Sequence, residues 1–447
     1  MNQRTRTIVT IAAAFGLTAG ATAARAAGFA IVEQGVSGLG NAYAGWAASA
    51  EDPSTIFYNA AGITRLKGIQ ASAGFHVIVP HAEFKNENST HVLQPVTGQG
   101  LTGGDGGDGG VTAFVPNGYF TYNNGRGVAV GLGVFAPWGL KTDYPEDWVG
   151  RYHAVTSDMK TIDINPVLAV KPSSNLSLGI GFNIQYIKAK LSNMIDYGTI
   201  FAAAGGTPQQ DDGKVTLKAD DWGYGFNLGL LYEFSDATRL GLAYRSRIRH
   251  KLEGDADFSN PTKIQSIIDV AAPGLFADTG AFAKVTLPDT ASLSLYHRYN
   301  DKLAVMADVT WTHWSLFEEL RVEFENSQPD STTTEEWEDA WRFSVGGTYT
   351  LMPALDLRCG LAYDQTPVPD AQHRTPRIPD GDRFWIALGA GYRIIEDLTL
   401  DAAYVHIFVK TGEVDKEATG EDTTRGGLKG EFKSSVDIAS VQLTYRF

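Results

Sequence analysis

From Gly68 onward hydrophobic and polar residues alternate in short runs, the period of a strand whose two faces meet different surroundings. In 239–248, Leu240, Leu242, Tyr244 and Ile248 share one face, while Arg239, Gly241, Ala243, Arg245 and Arg247 share the other. In 383–393, Phe384, Ile386, Leu388 and Tyr392 oppose Arg383, Trp385, Gly389 and Arg393. In 302–312, Leu303, Val305, Val309 and Trp311 oppose Asp308, Thr310 and Thr312. Val441 to Phe447 alternate in the same way and stop on an aromatic residue. Connections rich in Asn, Asp, Gly, Pro and Ser fall at 123–125, 172–175, 235–236, 300–301, 352–353 and 396–397. Between them lie long segments at about 80–112, 138–158, 192–220, 251–285, 313–340, 364–382 and 410–431. Six tight turns alternating with seven long loops call for about 14 antiparallel strands, with both ends of the sheet on the short-turn side.

A solvated antiparallel sandwich would alternate in the same way, so other features must choose. Arg4 and Arg6 precede an apolar run from Ile8 to about Ala24, and Ala24-Arg25-Ala26 follows, which reads as a secretory signal at 1–26. Residues 27–66 do not alternate and are rich in Gly and Ala, predicting a compact plug of short helices; 67–447 is strand-like. The expectation is an all-β transmembrane barrel of about 14 antiparallel strands with an N-terminal α-helical plug, or hatch, in the lumen. Phe447 is read as an assembly signal at the end of the last strand.

Composition narrows the function. The formal charge of −14 becomes −17 without the three arginines of 1–26, which argues against nucleic-acid binding. Apart from the signal, no stretch approaches the ~20 apolar residues of a spanning helix. Cys359 is the single cysteine, so an intrachain disulfide framework is excluded, and its simplest reading is a small lipid-facing or packed residue. The nine histidines show no metal-ligand spacing and Ser and His form no nucleophile elbow, so no cofactor, metal or enzyme activity is expected. The Gly/Asp run at 101–110 lacks a nonapeptide period and reads as a flexible polar loop.

Several blocks carry a family resemblance: AGFAIVEQGVSGLGNAYAG (27–45), NAAG (59–62), WGLKTDYPEDWVGRYHAVTSDMKTIDINP (138–166), LYEFSDATRLGLAYRSRIRH (231–250), LPDTASLSL (287–295), TWTHWSLFEELRV (310–322) and PRIPDGDRFWIALGAGYR (376–393). Together they resemble the FadL/TodX (OMPP1) outer-membrane transporters of long-chain fatty acids and hydrocarbons. The resemblance implies a monomeric, plugged 14-stranded barrel in the Gram-negative outer membrane, in contact with lipopolysaccharide and outer-membrane lipid. It also implies passive capture of a hydrophobic molecule outside, transfer to a lumen pocket and lateral exit at a kink in the third strand. Gly28, Phe29, Asn59, Ala60 and Ala61 then belong to the plug and gate. The family commonly has Asn-Pro-Ala where this chain has Asn59-Ala60-Ala61; losing Pro frees φ, and a softer turn is expected.

Candidate site residues follow. The third long loop offers Ile195, Tyr197, Ile200 and Phe201, and the fourth offers Ile264, Ile267, Ile268, Leu275 and Phe276. The helical spacing of the three isoleucines presents one apolar face. These loops either pack together to close the mouth or form a capture surface, and their apolar character favours capture. For a carboxylate head group, alternation turns Arg245, Arg247 and Arg358 inward, together with Asp308, Asp356 and Asp401, which can pair with them as scaffolding. The resemblance adds Lys188 and Arg321, although parity puts Lys188 on the lipid face with Phe182, Ile184 and Tyr186 unless a bulge intervenes. In the third strand, Gly131, Gly133 and Pro137 mark the expected kink, with residues around Asn59 satisfying the freed backbone. Fatty acid uptake is the leading reading, uptake of aromatic or alkane hydrocarbons the alternative, and a general aqueous porin a weaker rival.

Overall fold

A computed structural model describes residues 28–447; the signal reading at 1–26 lies outside them. One antiparallel sheet closes on itself. Its first six strands are Gly68–Asn86, Ala113–Asn123, Val128–Phe135 with Gly139–Asp143, Thr156–Ser173, Leu176–Asp196 and Asp212–Glu233. The seventh to tenth are each interrupted: Thr238–Arg245 with Ile248–Ser259, Thr279–Leu287 with Thr290–Arg298, Leu303–Thr312 with Glu319–Phe324, and Ser331–Thr334 with Ala340–Met352. The last four are Leu355–Asp364, Arg383–Ile395, Leu398–Val409 with Gly412–Asp415, and Lys429–Arg446. Pairing of Gln70 with Arg446 through Asn86 with Gly430 closes the barrel of 14 strands, so no edge is left for lipid to solvate.

Turns fall where the sequence predicts them, but several strands run farther toward the long loops. The fifth and sixth strands stay paired from Leu176↔Tyr232 to Asp196↔Asp212. Alternation fades there, yet ladder hydrogen bonds are made by the backbone and continue without an apolar face. Outward positions such as Ile180, Phe182, Tyr224, Phe226, Phe384, Leu388 and Leu443 are exposed, while inward Asn183, Gln185, Gln442 and Thr444 are buried. This is the lipid-facing band and polar lumen of a membrane barrel.

The lumen is filled by residues 28–66, folded as short helices at Val36–Leu39, Trp46–Ser49 and Thr55–Tyr58 and a 3₁₀ turn at Ala60–Arg65. Inward side chains of the wall hold them by their backbone: Gln442 accepts from the Val36 N–H at 3.1 Å, Arg239 donates to the Ala48 carbonyl at 2.9 Å, and Arg342 to that of Ala42 at 3.2 Å. Glycines let the wall approach this closely. A Cβ at Gly241 would sit 2.0 Å from the Ala47 carbonyl oxygen, and one at Gly179 2.3 Å from the Ala61 nitrogen.

Two local expectations change. Gly131 and Gly133 stay paired on both sides, with Thr121 and Val167 and with Tyr119 and Asn165. They do not kink the third strand; they make room for Ile56, which a Cβ at either position would meet at 2.7 or 3.0 Å. The break lies beyond them at 136–138, where Pro137 interrupts the strand. Asn59 adopts φ −161° and ψ 104°, its side chain accepts from the Ala61 N–H at 3.0 Å, and Ala60 opens the 3₁₀ turn. The turn expected to be soft is therefore capped by Asn59.

Candidate functional site: two chambers and a window

Between the second and third strands, pairing ends at Gly118↔Val134 and resumes only in a single bridge, Gly110↔Thr142. The gap is a window in the wall, with 111–117 as one side and 135–141 as the other. Its upper rim is the Gly/Asp loop, which is fastened and not the flexible segment expected. Asp108 accepts from the Ala82 N–H at 2.8 Å and the Gly110 N–H at 2.9 Å, and Gly109 accepts from the Asp143 N–H at 3.0 Å. The interrupted backbone at 136–138 is satisfied from inside, as an opening facing lipid requires. Gln34 donates to the Ala136 carbonyl at 2.8 Å and accepts from its N–H at 3.3 Å. The Ile31 N–H donates to the Pro137 carbonyl at 2.9 Å and the Gly139 N–H to that of Phe29 at 3.0 Å. Asn59, expected in this role, instead donates to the carbonyls of Ala47 at 2.7 Å and Leu230 at 3.0 Å.

Behind the window lies a cavity of about 670 Å³. Ile78, Phe114, Val134 and Trp138 give it apolar walls, and Glu33, Arg342, Asp364, Asp380 and Arg383 a charged side. Toward the long loops is a second cavity of about 100 Å³ lined by Ile187, Leu217, Leu252, Ala283, Leu320 and Val322. Phe29 lines both. Its ring sits edge-on to Trp314 at 4.7 Å and within 5.8 Å of Phe317 and Trp337, which the interruptions of the ninth and tenth strands carry inward. Gly28 has φ +61°, and a Cβ there would meet Trp314 and Trp337 at 2.7 Å, so only glycine fits. Asp380 accepts the Gly28 N–H at 2.9 Å and Arg383 donates to its carbonyl at 3.1 Å.

None of the five predicted head-group cations lines the upper chamber. Arg245 is inward but donates to the Phe57 carbonyl at 3.0 Å and lies over the Phe57 and Phe135 rings. Arg358 is inward but holds Asp401 at 2.6 Å, with Glu51 at 3.7 Å. Arg247 was expected inward and is not: Phe226 bonds to Ser246 through both backbone and side chain, the unpaired pair Ser246-Arg247 shifts the parity, and Ile248 turns inward instead. Arg247 meets Asp289 at 3.0 Å and His313 at 3.2 Å. Lys188 points outward as parity dictates, since the fifth strand has no bulge there. Arg321 faces solvent, bound to Glu319 at 2.8 Å and Asp330 at 3.2 Å.

Two cations do line the upper chamber: Lys218, which Asp257 holds at 2.8 Å, and Arg377, in the 365–382 loop, with Asp255 and Glu335 also on the lining. Arg377 is buried and makes long contacts with Ser157 Oγ at 3.3 Å and Asn193 Oδ1 at 3.2 Å; among the described residues no carboxylate lies within 4.0 Å of it. Burial pulls its guanidinium down to about 10, still protonated at neutral pH. Burial pushes the Glu335 carboxyl up to about 8, against the pull of Lys416, the Trp337 indole N–H and Arg377. A sequence signal existed for the chamber: inward positions of the fifth strand change from Asn183 and Gln185 to Ile187, Ala189 and Leu191.

The capture-loop residues are brought together. Tyr197, Ile264 and Ile268 are buried against one another, with Ile195, Phe201, Ile267 and Phe276 packed around them. The helix Thr262–Ala271 thus turns its apolar face onto the third loop, and the Tyr197 hydroxyl donates to Asn260 at 2.7 Å. Ile200 stays exposed and Leu275 lies outside the cluster.

Comparison with known proteins agrees with this architecture. The profile described as "Outer membrane protein transport protein (OMPP1/FadL/TodX)" matches residues 17–447. Outer membrane protein P1 of Haemophilus influenzae is 31% identical over 89% of each chain. The long-chain fatty acid transport protein of Escherichia coli O6:H1 is 30% identical over 92% of this chain and 93% of its own. The crystal structure of a Pseudomonas aeruginosa FadL homologue superposes with a TM-score of 0.84 at 29% identity, covering 94% of this chain and 99% of that one. A barrel with a filled lumen, an apolar chamber and a lateral window, matched along its length, belongs to the OMPP1/FadL/TodX family of outer-membrane transporters of hydrophobic compounds.

Proposed function

We propose that the protein takes up long-chain fatty acids passively. Cargo is captured at the seam of the third and fourth long loops and passes into the upper chamber, where Arg377 receives the carboxylate. Release of Gly28 from Asp380 and Arg383 swings Phe29 aside and joins the two chambers, and the molecule leaves through the window into the membrane. The observation that carries this reading is the continuous lining from Phe29 to the window, with one cation free of carboxylate partners above it. Burial of the tail contributes about 0.8 kcal/mol per methylene, so the tail supplies affinity and Arg377 supplies selectivity. The unit at work is a single barrel in contact with outer-leaflet lipid.

Uptake of aromatic or alkane hydrocarbons is the second reading, supported by the apolar walls of the upper chamber. Uptake of radiolabelled oleate and toluene by a deletion strain with and without the protein separates the two. Oleate uptake that depends on the protein and falls in Arg377→Gln supports the fatty acid reading. Toluene uptake that depends on it and ignores Arg377→Gln supports the hydrocarbon reading, and no dependence for either defeats both.

A further inference from the structure

On the outer surface beside the window stand four exposed lysines: Lys141 on the third strand, Lys160 on the fourth, and Lys188 and Lys190 on the fifth. The ladder puts Lys160 directly opposite Lys188. It also puts Lys190 opposite Lys218, which is occupied by Asp257 at 2.8 Å. Like charges directly opposite destabilise a sheet. Asp158, between Lys141 and Lys190, and Asp220, opposite Lys188, are the neighbouring acids. Among the described residues no carboxylate lies within 4.0 Å of any of the four lysines. Four lysines against two neighbouring acids leave a local excess of positive charge on a chain of net charge −14.

Its height on the barrel identifies the missing anion. Immediately below, Ile162, Phe182 and Trp222 are about half exposed on the lipid face, and the Tyr186 and Trp222 rings lie 5.1 Å apart, the aromatic belt of a membrane interface. The lysines therefore stand at headgroup level on the long-loop side. We propose that Lys141, Lys160, Lys188 and Lys190 form a docking patch for the phosphates of a phosphorylated outer-leaflet glycolipid, with one phosphate spanning Lys160 and Lys188. The patch rests on the reading of outer-leaflet lipid as a partner and is independent of the transport route. Ammonium groups on long stems suit a phosphate whose position is set by the lipid.

The test uses purified full-length protein in detergent, titrated with bisphosphorylated lipid A and followed by native mass spectrometry and thermal unfolding. Lipid A should bind the unaltered protein and raise its unfolding temperature, and K160Q/K188Q should bind at least tenfold more weakly. K251Q/K284Q, which removes two outward lysines paired with Glu253 and Glu323, should stay within twofold of the unaltered protein. Without lipid A, K160Q/K188Q should unfold at the same or a higher temperature, because a repulsive pair has been removed. Equal lipid A binding by K160Q/K188Q and unaltered protein, or equal loss in K251Q/K284Q, would overturn the proposal. So would inorganic phosphate competing at concentrations equal to lipid A, or a lower unfolding temperature of K160Q/K188Q in the lipid-free state. Uptake does not enter this measurement, so its failure and that of the transport reading are distinguishable.

Discussion

The upper chamber is walled by Ile187, Leu217, Leu252 and Leu320, while the lower one sets Glu33, Arg342, Asp364 and Arg383 against its apolar side and opens at the window. Both use inward positions of the same barrel, yet one is built to exclude water and the other to tolerate it. A tail is held best where every contact is apolar, because the hydrophobic effect scales with the area removed from water. Charged groups beside a tail weaken its hold, so the proposed cargo would bind less tightly below Phe29 than above it.

The comparison breaks most drastically if the lumen is emptied. Gly241→Val puts side-chain atoms where the Ala47 carbonyl stands, and a strand accepts Val readily, so the barrel should fold while 46–49 is displaced. Single-channel recordings should then show a large steady conductance absent from the unaltered protein; unchanged conductance would mean that the segment docks without this contact. Next in size is Arg377→Gln, which removes a charge-assisted contact of about 1.5–3 kcal/mol, a loss of roughly 10–100-fold in oleate affinity. Toluene binding should not move, and equal losses for both ligands would remove Arg377 from the head-group role.

A smaller effect sharpens the electrostatics of the upper chamber. Glu335 titrates near 8, so below that pH it is neutral and leaves Arg377 to the ligand, whereas above it an anion competes for the same guanidinium. Oleate affinity should fall a few-fold between pH 7 and 9 in the unaltered protein and stay level in Glu335→Gln. Because the folded carboxyl is raised from 4.5, the stability it contributes is complete below about 4.5 and is lost as the pH climbs through about 8. Thermal unfolding of the same two proteins across that range checks the sign. The smallest effect belongs to Ala60→Pro. Asn59 is already extended and Ala60 already opens a helical turn, so Pro should change stability by less than about 1 kcal/mol, read from unfolding in denaturant.

Much of this was legible in the residues. Alternation in 383–393 and 302–312 put the correct side chains on each face, and turn-forming residues located the strand reversals. Parity failed at Arg247, where an unpaired dipeptide shifts the faces by one residue, a difference that backbone pairing makes and side-chain pattern does not record. Family likeness placed a cation at Lys188, whereas uninterrupted pairing to Asp220 turns it outward. Of the three residues expected to mark the kink, Pro137 lies at the break, whereas Gly131 and Gly133 stay paired because they answer to Ile56 across the lumen. Arg377 carries no such signal, because it sits in a loop without periodicity.

Strand count, lipid-facing band, filled lumen and family follow from the order of residues along the chain, since each depends on local period, turn chemistry or motif. Which cations remain free is set by packing between segments distant in the chain. Arg245 and Arg358 have the same inward parity as any lumen ligand, yet the Phe57 carbonyl and Asp401 occupy them, and those partners arrive from 188 and 43 residues away. Arg377 is left facing an apolar chamber by the packing of loops far apart in sequence. A charge's availability depends on which partners reach it in space, and alternation along one strand carries no information about that.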